Sequence, residues 1–260
     1  HYAIPHASAA YMAKQILKKE GKNIPVITTL HGTDITLVGR DKMYAPVVTF
    51  SINESDGITA VSQNLRDETY KHFQIEKDIE VIVNFVDVSR FSRKPLDAFK
   101  KVIAPNGERI LLHASNFRKI KRVQDVVKIF YEVQKQIPSK LLFVGDGPER
   151  STAEDLSREL GVCDEIRFVG KQEQMEDILA IGDLFLLTSE YESFGLAALE
   201  AMAAGVPVVS TNAGGLKEIN VQGETGFMSD VGDVESMSQQ ALSILRDNNT
   251  LQSFKEKAAA

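Results

Sequence analysis

The chain has 260 residues, 43% of them hydrophobic and 25% charged, which is long enough for two α/β domains of roughly 100–150 residues each. Its formal net charge of -6 disfavours a nucleic-acid-binding protein, because a phosphate backbone requires a clustered basic surface. The single Cys163 excludes an intrachain disulfide and a cysteine metal cluster, and it is consistent with a cytoplasmic protein. No apolar run approaches the ~20 residues that span a bilayer, so we expect no stable membrane insertion.

In chain order, the first half alternates between helical and strand-like patterns, which is typical of an α/β fold with parallel sheets. The predicted elements are a helix over 7–19, a strand over 25–30, a helix near 44–54, a strand over 57–60, a helix over 62–72 and a strand over 80–83. Because the chain enters its first helix without a start methionine or a cap, we expect it to begin partway through its N-terminal domain.

Between Asp87 and Gly107 the periodicity lapses, and we predict an interdomain linker over 91–107 that separates domains over 1–90 and 108–260. The second half then restarts with strands over 109–114, 140–144, 166–169, 184–187 and 207–210, and with helices over 122–136, 149–160, 172–180, 194–203 and from about 234. This alternation predicts a doubly wound domain with some six parallel strands.

The most informative feature is a pair of glutamates, Glu192 and Glu200, which stand eight positions apart behind a predicted buried strand. We predict Ser193 as the N-cap of the helix that follows, with free backbone amides around Phe194 and Gly195. Such amides attract phosphate, and carboxylates accept hydrogen bonds from hydroxyls, so this segment suits a sugar nucleotide. Two glutamates at this spacing also occur by chance, so the pair does not decide the function alone.

Three further loops are predicted at the C-terminal ends of strands, where open α/β sheets bind their ligands. The first carries Arg118 and Lys121, whose charges suit a diphosphate, although a solvated basic loop has the same composition. The second contains Gly145 and the third Gly214; glycine there permits either close approach to a ligand or a tight turn. Gly170 ends another strand. Because one edge of the sheet gathers all of these, we expect one pocket.

In the first half, His31 follows a predicted strand and is the best candidate for contacting a reacting sugar, although a lone histidine is more often a structural hydrogen bonder. Asn64 and Arg66 follow another strand, in a helix that Ser62 is expected to cap. Arg66 suits an anionic acceptor, and an ordinary surface arginine is the competing interpretation.

Several motifs with well-known chemistry do not occur in the chain. It contains no Asp-x-Asp motif, no His/Cys ligand cluster and no G-x-x-x-x-G-K-S/T loop. These absences disfavour a metal-dependent or P-loop enzyme, so we expect no metal and no cofactor. Protein cations and helix amides are then expected to stabilise any leaving phosphate.

Taken together, several short segments resemble the retaining glycosyltransferases of family GT4. They are His31–Thr33, Arg118 with Lys121, Gly145–Pro148, Glu192–Gly195 with Glu200, Ala204–Val209, and Gly214–Gly215 with Glu218. The resemblance spans nearly the whole chain, is strongest over 109–230, and implies the GT-B fold, in which two Rossmann-like domains face each other across a cleft. The N-terminal domain is then expected to be incomplete, because the glycine-rich loop near its start is missing.

By this resemblance, Glu200 binds the ribose hydroxyls, Glu192 and His31 lie by the donor sugar, and Arg118 with Lys121 binds the diphosphate. The remaining implied donor contacts come from strand ends and a helix start: Gly145, Gly170, Ser193, Phe194, Gly195 and Leu196. One departure is that members of the family usually carry Lys-Gly where this chain has Lys121-Arg122, with a longer Arg-to-Lys spacing in many of them. The departure bears on the role of Arg118 more than on that of Lys121.

Within the family, His1–Ala7, His31–Thr36 and Ser115–Arg118 look like the branch that transfers N-acetylglucosamine from UDP-N-acetylglucosamine (UDP-GlcNAc) to L-malate in bacillithiol biosynthesis. A dicarboxylate acceptor requires cations and hydroxyl donors, and the implied contacts are Tyr2, Thr36, Asn64, Arg66 and Asn116. The resemblance also implies retention at the anomeric carbon without a metal. A homo-oligomer is compatible with the sequence.

Other functions stay open at this point. A GT4 hexosyltransferase with a different donor or acceptor, such as a lipid or polysaccharide, and a non-catalytic nucleotide-sugar-binding protein share the same motifs. A membrane acceptor is disfavoured because the helix over 7–19 has few of the cations and aromatics of a surface-seeking helix. A dinucleotide-binding protein is disfavoured because no G-x-G-x-x-G precedes a helix with an acidic residue some 20 positions on.

Overall fold

A computed structural model describes residues 1–37, 39, 41–92 and 96–260 of the chain. These residues divide into two compact units, one over 1–84 with 192–194 and the other over 85–191 with 195–260. Each unit contains a parallel sheet flanked by helices, which confirms the predicted α/β class. None of the described helices is long and apolar enough to cross a membrane.

The first unit is built on three parallel strands in the order β1-β2-β3. The strands are β1 (Ile27–Leu30), β2 (Gly57–Ala60) and β3 (Ile79–Val81), and the helices are α1 (Ser8–Lys19), α2 (Thr33–Thr36), α3 (Ala45–Asn53) and α4 (Gln63–His72). The predicted cap of α4 is present, because the Ser62 hydroxyl accepts a hydrogen bond from the Leu65 amide at 3.0 Å. The single turn α2 was not predicted, since four residues are too few to show a helical period.

The second unit is built on six parallel strands, the number that the alternation predicted, and their order is β6-β5-β4-β7-β8-β9. The strands are β4 (Arg109–Ser115), β5 (Ser139–Gly145), β6 (Ile166–Gly170), β7 (Leu184–Leu187), β8 (Val208–Thr211) and β9 (Gly226–Ser229). The order reverses between β4 and β7, which makes the gap outside their carboxyl ends the topological switch point where such sheets bind ligands.

The helices of the second unit cover both faces of its sheet. They are α5 (Asp97–Ile103), α6 (Val123–Gln134), α7 (Arg150–Glu159), α8 (Met175–Ala180), α9 (Leu196–Ala203), α10 (Val234–Leu245) and α11 (Asn248–Ala258). In β7, Leu184 and Leu186 join the core cluster on one face, and Phe185 and Leu187 join the cluster on the other. A strand buried on both faces reads as a continuous apolar run, which explains why β7 is recognisable in the sequence.

Two local predictions were wrong. The stretch predicted as a linker contains α5, and Ile103 and Ala104 are buried in the core of the second unit. A seven-residue helix is too short for its periodicity to stand out. Ser193 is not an N-cap: α9 begins at Leu196, and its N-cap is Gly195, which has φ 96° and no side-chain cap. Residues 93–95 of the predicted linker lie outside the described residues.

Candidate functional site

The loops that carry the predicted site residues meet at one edge of the six-stranded sheet. Strands β4, β5 and β7 run parallel and end side by side. The Glu190 amide donates to the Ile120 carbonyl at 2.8 Å, which joins the loops after β7 and β4. The Thr211 hydroxyl donates to the Ser189 carbonyl at 2.6 Å, which joins the loops after β8 and β7. The loops after β4, β7 and β8 therefore lie at one edge of the sheet, as the sequence predicted.

A buried histidine organises the loop after β4. The Nδ1 of His113 lies 2.9 Å from the Leu186 carbonyl, and its Nε2 lies 2.8 Å from the Ser115 hydroxyl. A carbonyl only accepts, so Nδ1 carries the proton and Ser115 donates to Nε2. The Ser115 oxygen then accepts from the Phe117 amide at 3.3 Å. This chain of hydrogen bonds fixes Phe117, which has φ 38°, directly before Arg118.

The environment of His113 also determines its charge. Burial lowers the pKa of His113 to about 4, with the positive charge of Lys121 acting in the same direction and the Leu186 carbonyl opposing it. The imidazole is therefore neutral at physiological pH. The sequence offered a signal that was not used: His113 is the one strongly polar side chain in the middle of the apolar run of β4.

Arg118 and Lys121 stand at the two ends of a short loop at this edge. Arg118 is exposed and directly precedes the 3-10 turn Lys119–Lys121. Lys121 is half-buried, and its carbonyl accepts a hydrogen bond from the Thr188 hydroxyl at 2.9 Å. Because this hydrogen bond holds the backbone of the loop in place, the two cations are suited to bind a diphosphate.

The glycines of this edge have separate explanations. A Cβ on Gly145, which has φ 111°, would lie 1.8 Å from the Ser115 carbonyl oxygen, and one on Gly147 would lie 2.0 Å from the Asn116 oxygen. These glycines therefore permit the loops after β4 and β5 to pack together. Gly170 has φ 69° and meets nothing within 4 Å, so its conformation rather than a close contact favours glycine.

Glu200 lies in the second turn of α9 and is half-buried. Burial raises its pKa, the carboxylate of Glu176 adds to that effect, and the charge of Arg90 opposes it. Arg90 itself donates to a Glu176 carboxylate oxygen at 3.1 Å and to the Glu173 carbonyl at 3.3 Å. Sequence reasoning missed Arg90, because it stands more than a hundred positions before Glu200 in a segment without periodicity.

The N-terminus of α9 also belongs to this edge of the sheet. Its N-cap Gly195 is required on two grounds, since φ is 96° and a Cβ would lie 2.5 Å from the Leu216 side chain. Leu196 is 42% exposed at the first position of the helix. The Ala198 and Leu199 amides donate to the Gly195 carbonyl at 2.9 and 3.1 Å, and the backbone amides that precede such bonds at a helix start are the ones that bind phosphate oxygens.

Residues Glu192–Phe194 are grouped with the first unit. The Ser193 carbonyl accepts a hydrogen bond from the Ser62 hydroxyl at 2.6 Å. A Cβ on Gly32, which has φ 124°, would lie 2.5 Å from the Ser193 Cβ. Phe194 is buried, and Glu192 and Ser193 are half-buried. This three-residue segment is thus packed against the turn after β1 and the start of α4.

His31 lies at the end of β1 within a cluster of rings. Its Nε2 is 2.8 Å from the Nδ1 of His1, and its ring centroid is 5.0 Å from that of Tyr2. Burial lowers the pKa of His31, which Asp34 partly opposes. The buried Asp34 carboxylate accepts from the Ala3 amide at 2.7 Å, so it fixes the first residues against this turn. A neutral imidazole here can exchange hydrogen bonds with a sugar hydroxyl.

The predicted acceptor contacts are spread over both units. Tyr2 is exposed beside His31, and the Thr36 hydroxyl donates to the carbonyl of Gly32 at 2.9 Å, in the same turn. Asn64 and Arg66 lie on α4, where Arg66 pairs with Asp67 at 3.0 Å. Asn116 is exposed after β4 in the second unit. In the described residues, no group of three or more His, Cys, Asp or Glu side chains is arranged to hold a metal ion.

Two family models match the chain. The model described as "Glycosyl transferases group 1" matches residues 96–260, and the model described as "Glycosyltransferase Family 4" matches residues 1–90. Among solved structures, the chain superposes on Anabaena HepE in complex with UDP and glucose with a TM-score of 0.87 at 20% identity, covering 97% of this chain and 69% of that one. TarM of S. aureus gives a TM-score of 0.77 at 19% identity, with 94% and 48% covered. These likenesses confirm the predicted GT-B fold.

Curated relatives give the same family. The chain is 44% identical over 259 residues to N-acetyl-alpha-D-glucosaminyl L-malate synthase of Bacillus anthracis, covering 99% of this chain and 67% of the relative. It is 30% identical over 242 residues to glycogen synthase of Mycobacterium tuberculosis, covering 86% of this chain and 55% of that protein. The chain thus spans between about half and two thirds of these relatives. The family models and the 44% identity show that the chain belongs to the group 1 glycosyltransferases, with a family 4 domain preceding the group 1 domain.

Proposed function

We propose that the protein transfers N-acetylglucosamine from UDP-GlcNAc to the hydroxyl of L-malate, the first step of bacillithiol biosynthesis, with retention at the anomeric carbon. The observation that carries this proposal is the 44% identity, over 99% of the chain, to a relative named for that product. The proposed location is the cytoplasm, where nucleotide sugars and malate are both available.

The nucleotide of the donor is held at the edge of the six-stranded sheet. The ionised Glu200 accepts hydrogen bonds from the ribose hydroxyls, because a carboxylate is an acceptor-only group. Arg118 and Lys121 bind the diphosphate, and the first amides of α9 add a partial positive charge. Glu192 and His31 hold the sugar, and Gly145, Gly170 and Leu196 line the remaining donor surface. In this proposal the nucleotide and the sugar are bound by different side chains.

The transfer breaks the bond between the anomeric carbon and the β-phosphate oxygen of UDP, and it forms a bond from that carbon to the malate hydroxyl oxygen on the same face. The hydroxyl proton passes to the leaving phosphate oxygen, so UDP is released without a separate base. Arg118, Lys121 and the α9 amides stabilise the charge that develops on the leaving group, which is preorganised electrostatic catalysis. No metal is needed in this scheme.

The acceptor is a dicarboxylate and requires a cation. Arg66 is proposed as its main partner, because its pairing with Asp67 is an exposed neighbour contact that a ligand can replace at little cost. Tyr2, Thr36, Asn64 and Asn116 are proposed to supply hydroxyl and amide hydrogen bonds.

The proposal is tested by incubating the full-length protein with UDP-GlcNAc and a panel of acceptors while UDP release is measured. Release that depends on malate, with an α-linked product by NMR, is the expected result. A β-linked product would sink the retaining assignment. Release with a different acceptor identifies another glycosyltransferase of the family, and tight UDP-GlcNAc binding without release under any condition identifies a binding protein.

A further inference from the structure

Arg122 has a backbone conformation that is unfavourable for arginine. Its φ of 48° and ψ of 45° lie in the left-handed region, where a Cβ crowds the following carbonyl and glycine is preferred. An arginine is maintained at such a position only where its side chain makes compensating contacts.

The guanidinium of Arg122 makes such contacts on two different elements. Its Nε donates to a carboxylate oxygen of Asp125 at 2.6 Å, in the first turn of α6, and Asp125 is 5% exposed. Its NH1 donates to a carboxylate oxygen of Glu190 at 3.3 Å, in the loop after β7. A Cβ on Gly232 would lie only 3.1 Å from the NH2 atom, so the glycine there leaves room for the guanidinium.

Hydrogen bonds to backbone carbonyls join the same two loops. The Thr188 hydroxyl, from the end of β7, lies 2.9 Å from the Lys121 carbonyl and 3.1 Å from the Arg122 carbonyl. The Glu190 amide donates to the Ile120 carbonyl at 2.8 Å. The loop over 118–122 and the loop over 188–191 are therefore joined by one backbone hydrogen bond, by the Thr188 hydroxyl on two backbone carbonyls, and by the ion pair between Arg122 and Glu190.

We propose that Arg122 is a positioning residue, which locks the cationic loop over 118–122 onto the loop after β7 and so holds Arg118 and Lys121 for the diphosphate of the donor. The inference rests on the proposed function, since it assumes that these two cations bind a nucleoside diphosphate. Arg122 itself is committed to Asp125 and Glu190 and does not have to touch the ligand.

The test compares UDP with uridine as probes of the full-length protein by calorimetry. Arg122→Gly suits the left-handed backbone and removes the whole side chain, including the guanidinium. We expect UDP affinity to fall about 5- to 20-fold, and uridine affinity to change less than about 2-fold because uridine lacks the diphosphate. Glu190→Gln is expected to weaken UDP in the same way, and the double variant no further than Arg122→Gly alone, since both remove one interaction.

The matched control is Arg158→Ala, which removes an arginine that pairs with Asp155 at 2.8 Å inside α7. It is expected to leave UDP affinity unchanged. The inference is overturned if Arg122→Gly binds UDP as the wild type does, if UDP and uridine weaken equally, or if the Arg122 and Glu190 effects add. If the wild-type protein binds neither UDP nor UDP-GlcNAc, the proposed function fails instead, so the two failures are distinguishable.

Discussion

The pKa of Glu200 depends on two charged side chains that are not among the proposed ligand contacts, Arg90 and Glu176. Burial and Glu176 raise its pKa, and Arg90 lowers it. Only the ionised carboxylate accepts hydrogen bonds from both ribose hydroxyls. If Glu200 binds the ribose as proposed, the balance between Arg90 and Glu176 sets the acidic limit of nucleotide binding.

We predict that UDP affinity declines towards acid pH, and that Arg90→Met moves this decline to higher pH. The sign follows because removing the positive charge raises the pKa of Glu200 further, so that protonation begins earlier. Titration calorimetry with UDP across a pH series measures the midpoint. Glu200→Gln should weaken UDP by roughly 10–100-fold and remove the pH dependence, since one or two charge-assisted hydrogen bonds are lost. An unchanged midpoint in Arg90→Met contradicts the prediction.

His113 gives a second prediction at this scale, on stability. Its pKa is about 4 in the folded protein and 6.5 in the unfolded chain, so below pH 6.5 the unfolded state binds a proton that the folded state does not. The stabilisation of the folded state by the neutral His113 is fully present above pH 6.5. It is lost as the pH falls towards 4, at up to about 1.4 kcal/mol per pH unit.

Urea denaturation of the wild type and of His113→Asn at pH 7 and pH 5 measures this difference. The wild type should lose about 2 kcal/mol more of its free energy of unfolding between the two values than the variant does. His72→Asn, at the surface of α4, is the control and should follow the wild type. Equal pH dependence in the wild type and His113→Asn excludes the assigned role of His113.

At the scale of elements, an ion cluster at the other end of the sheet ties helices α5 and α11 to it. Asp183 is 1% exposed, accepts from Lys255 at 2.7 Å and from Lys100 at 3.0 Å, and receives the amide of Ile110 at 3.0 Å. Burial alone acts to raise the pKa of Asp183, but the two lysines outweigh it and hold the pKa below its ordinary range. This cluster is structural, because it lies at the start of β7 rather than at its carboxyl end.

We predict that Lys255→Met lowers the free energy of unfolding by roughly 3–5 kcal/mol, because it leaves a buried carboxylate without its best partner. Lys100→Met should cost less, since that side chain is 37% exposed and water can replace it. Thermal or urea unfolding gives both values. Lys135→Met, which removes the exposed pair with Glu132, is the control and should change stability by no more than about 1 kcal/mol. Similar losses in all three variants contradict the assignment.

At the scale of the whole molecule, the proposed nucleotide contacts and the proposed main acceptor contact belong to different units. Arg118, Lys121, Glu200 and the start of α9 belong to the second unit, and Arg66 belongs to the first. Binding of UDP and use of malate are therefore expected to respond to different substitutions.

We predict that Arg66→Met raises the KM for malate by roughly 10–100-fold, because a charge-assisted hydrogen bond to a carboxylate is lost. The Kd for UDP should stay unchanged. Steady-state kinetics with varied malate, together with calorimetry for UDP, separates the two effects. Arg66→Lys is a useful comparison, since it keeps the charge but not the forked geometry, and it should restore part of the malate affinity. If Arg66→Met lowers UDP affinity as much as it raises the KM for malate, Arg66 is not a specific contact of the acceptor.

By itself, the sequence determined the class of fold, most strand positions and the set of loops that meet at one edge of the six-stranded sheet. It did so because buried parallel strands read as apolar runs, as in Leu184–Leu187, and because parallel strands bring their carboxyl ends to one edge. Only the tertiary structure decided the contacts that cross long sequence separations: Arg90 beside Glu200, Arg122 with Glu190, and the helix α5 inside the expected linker. These depend on the packing of side chains from distant segments, which leaves no period in the sequence.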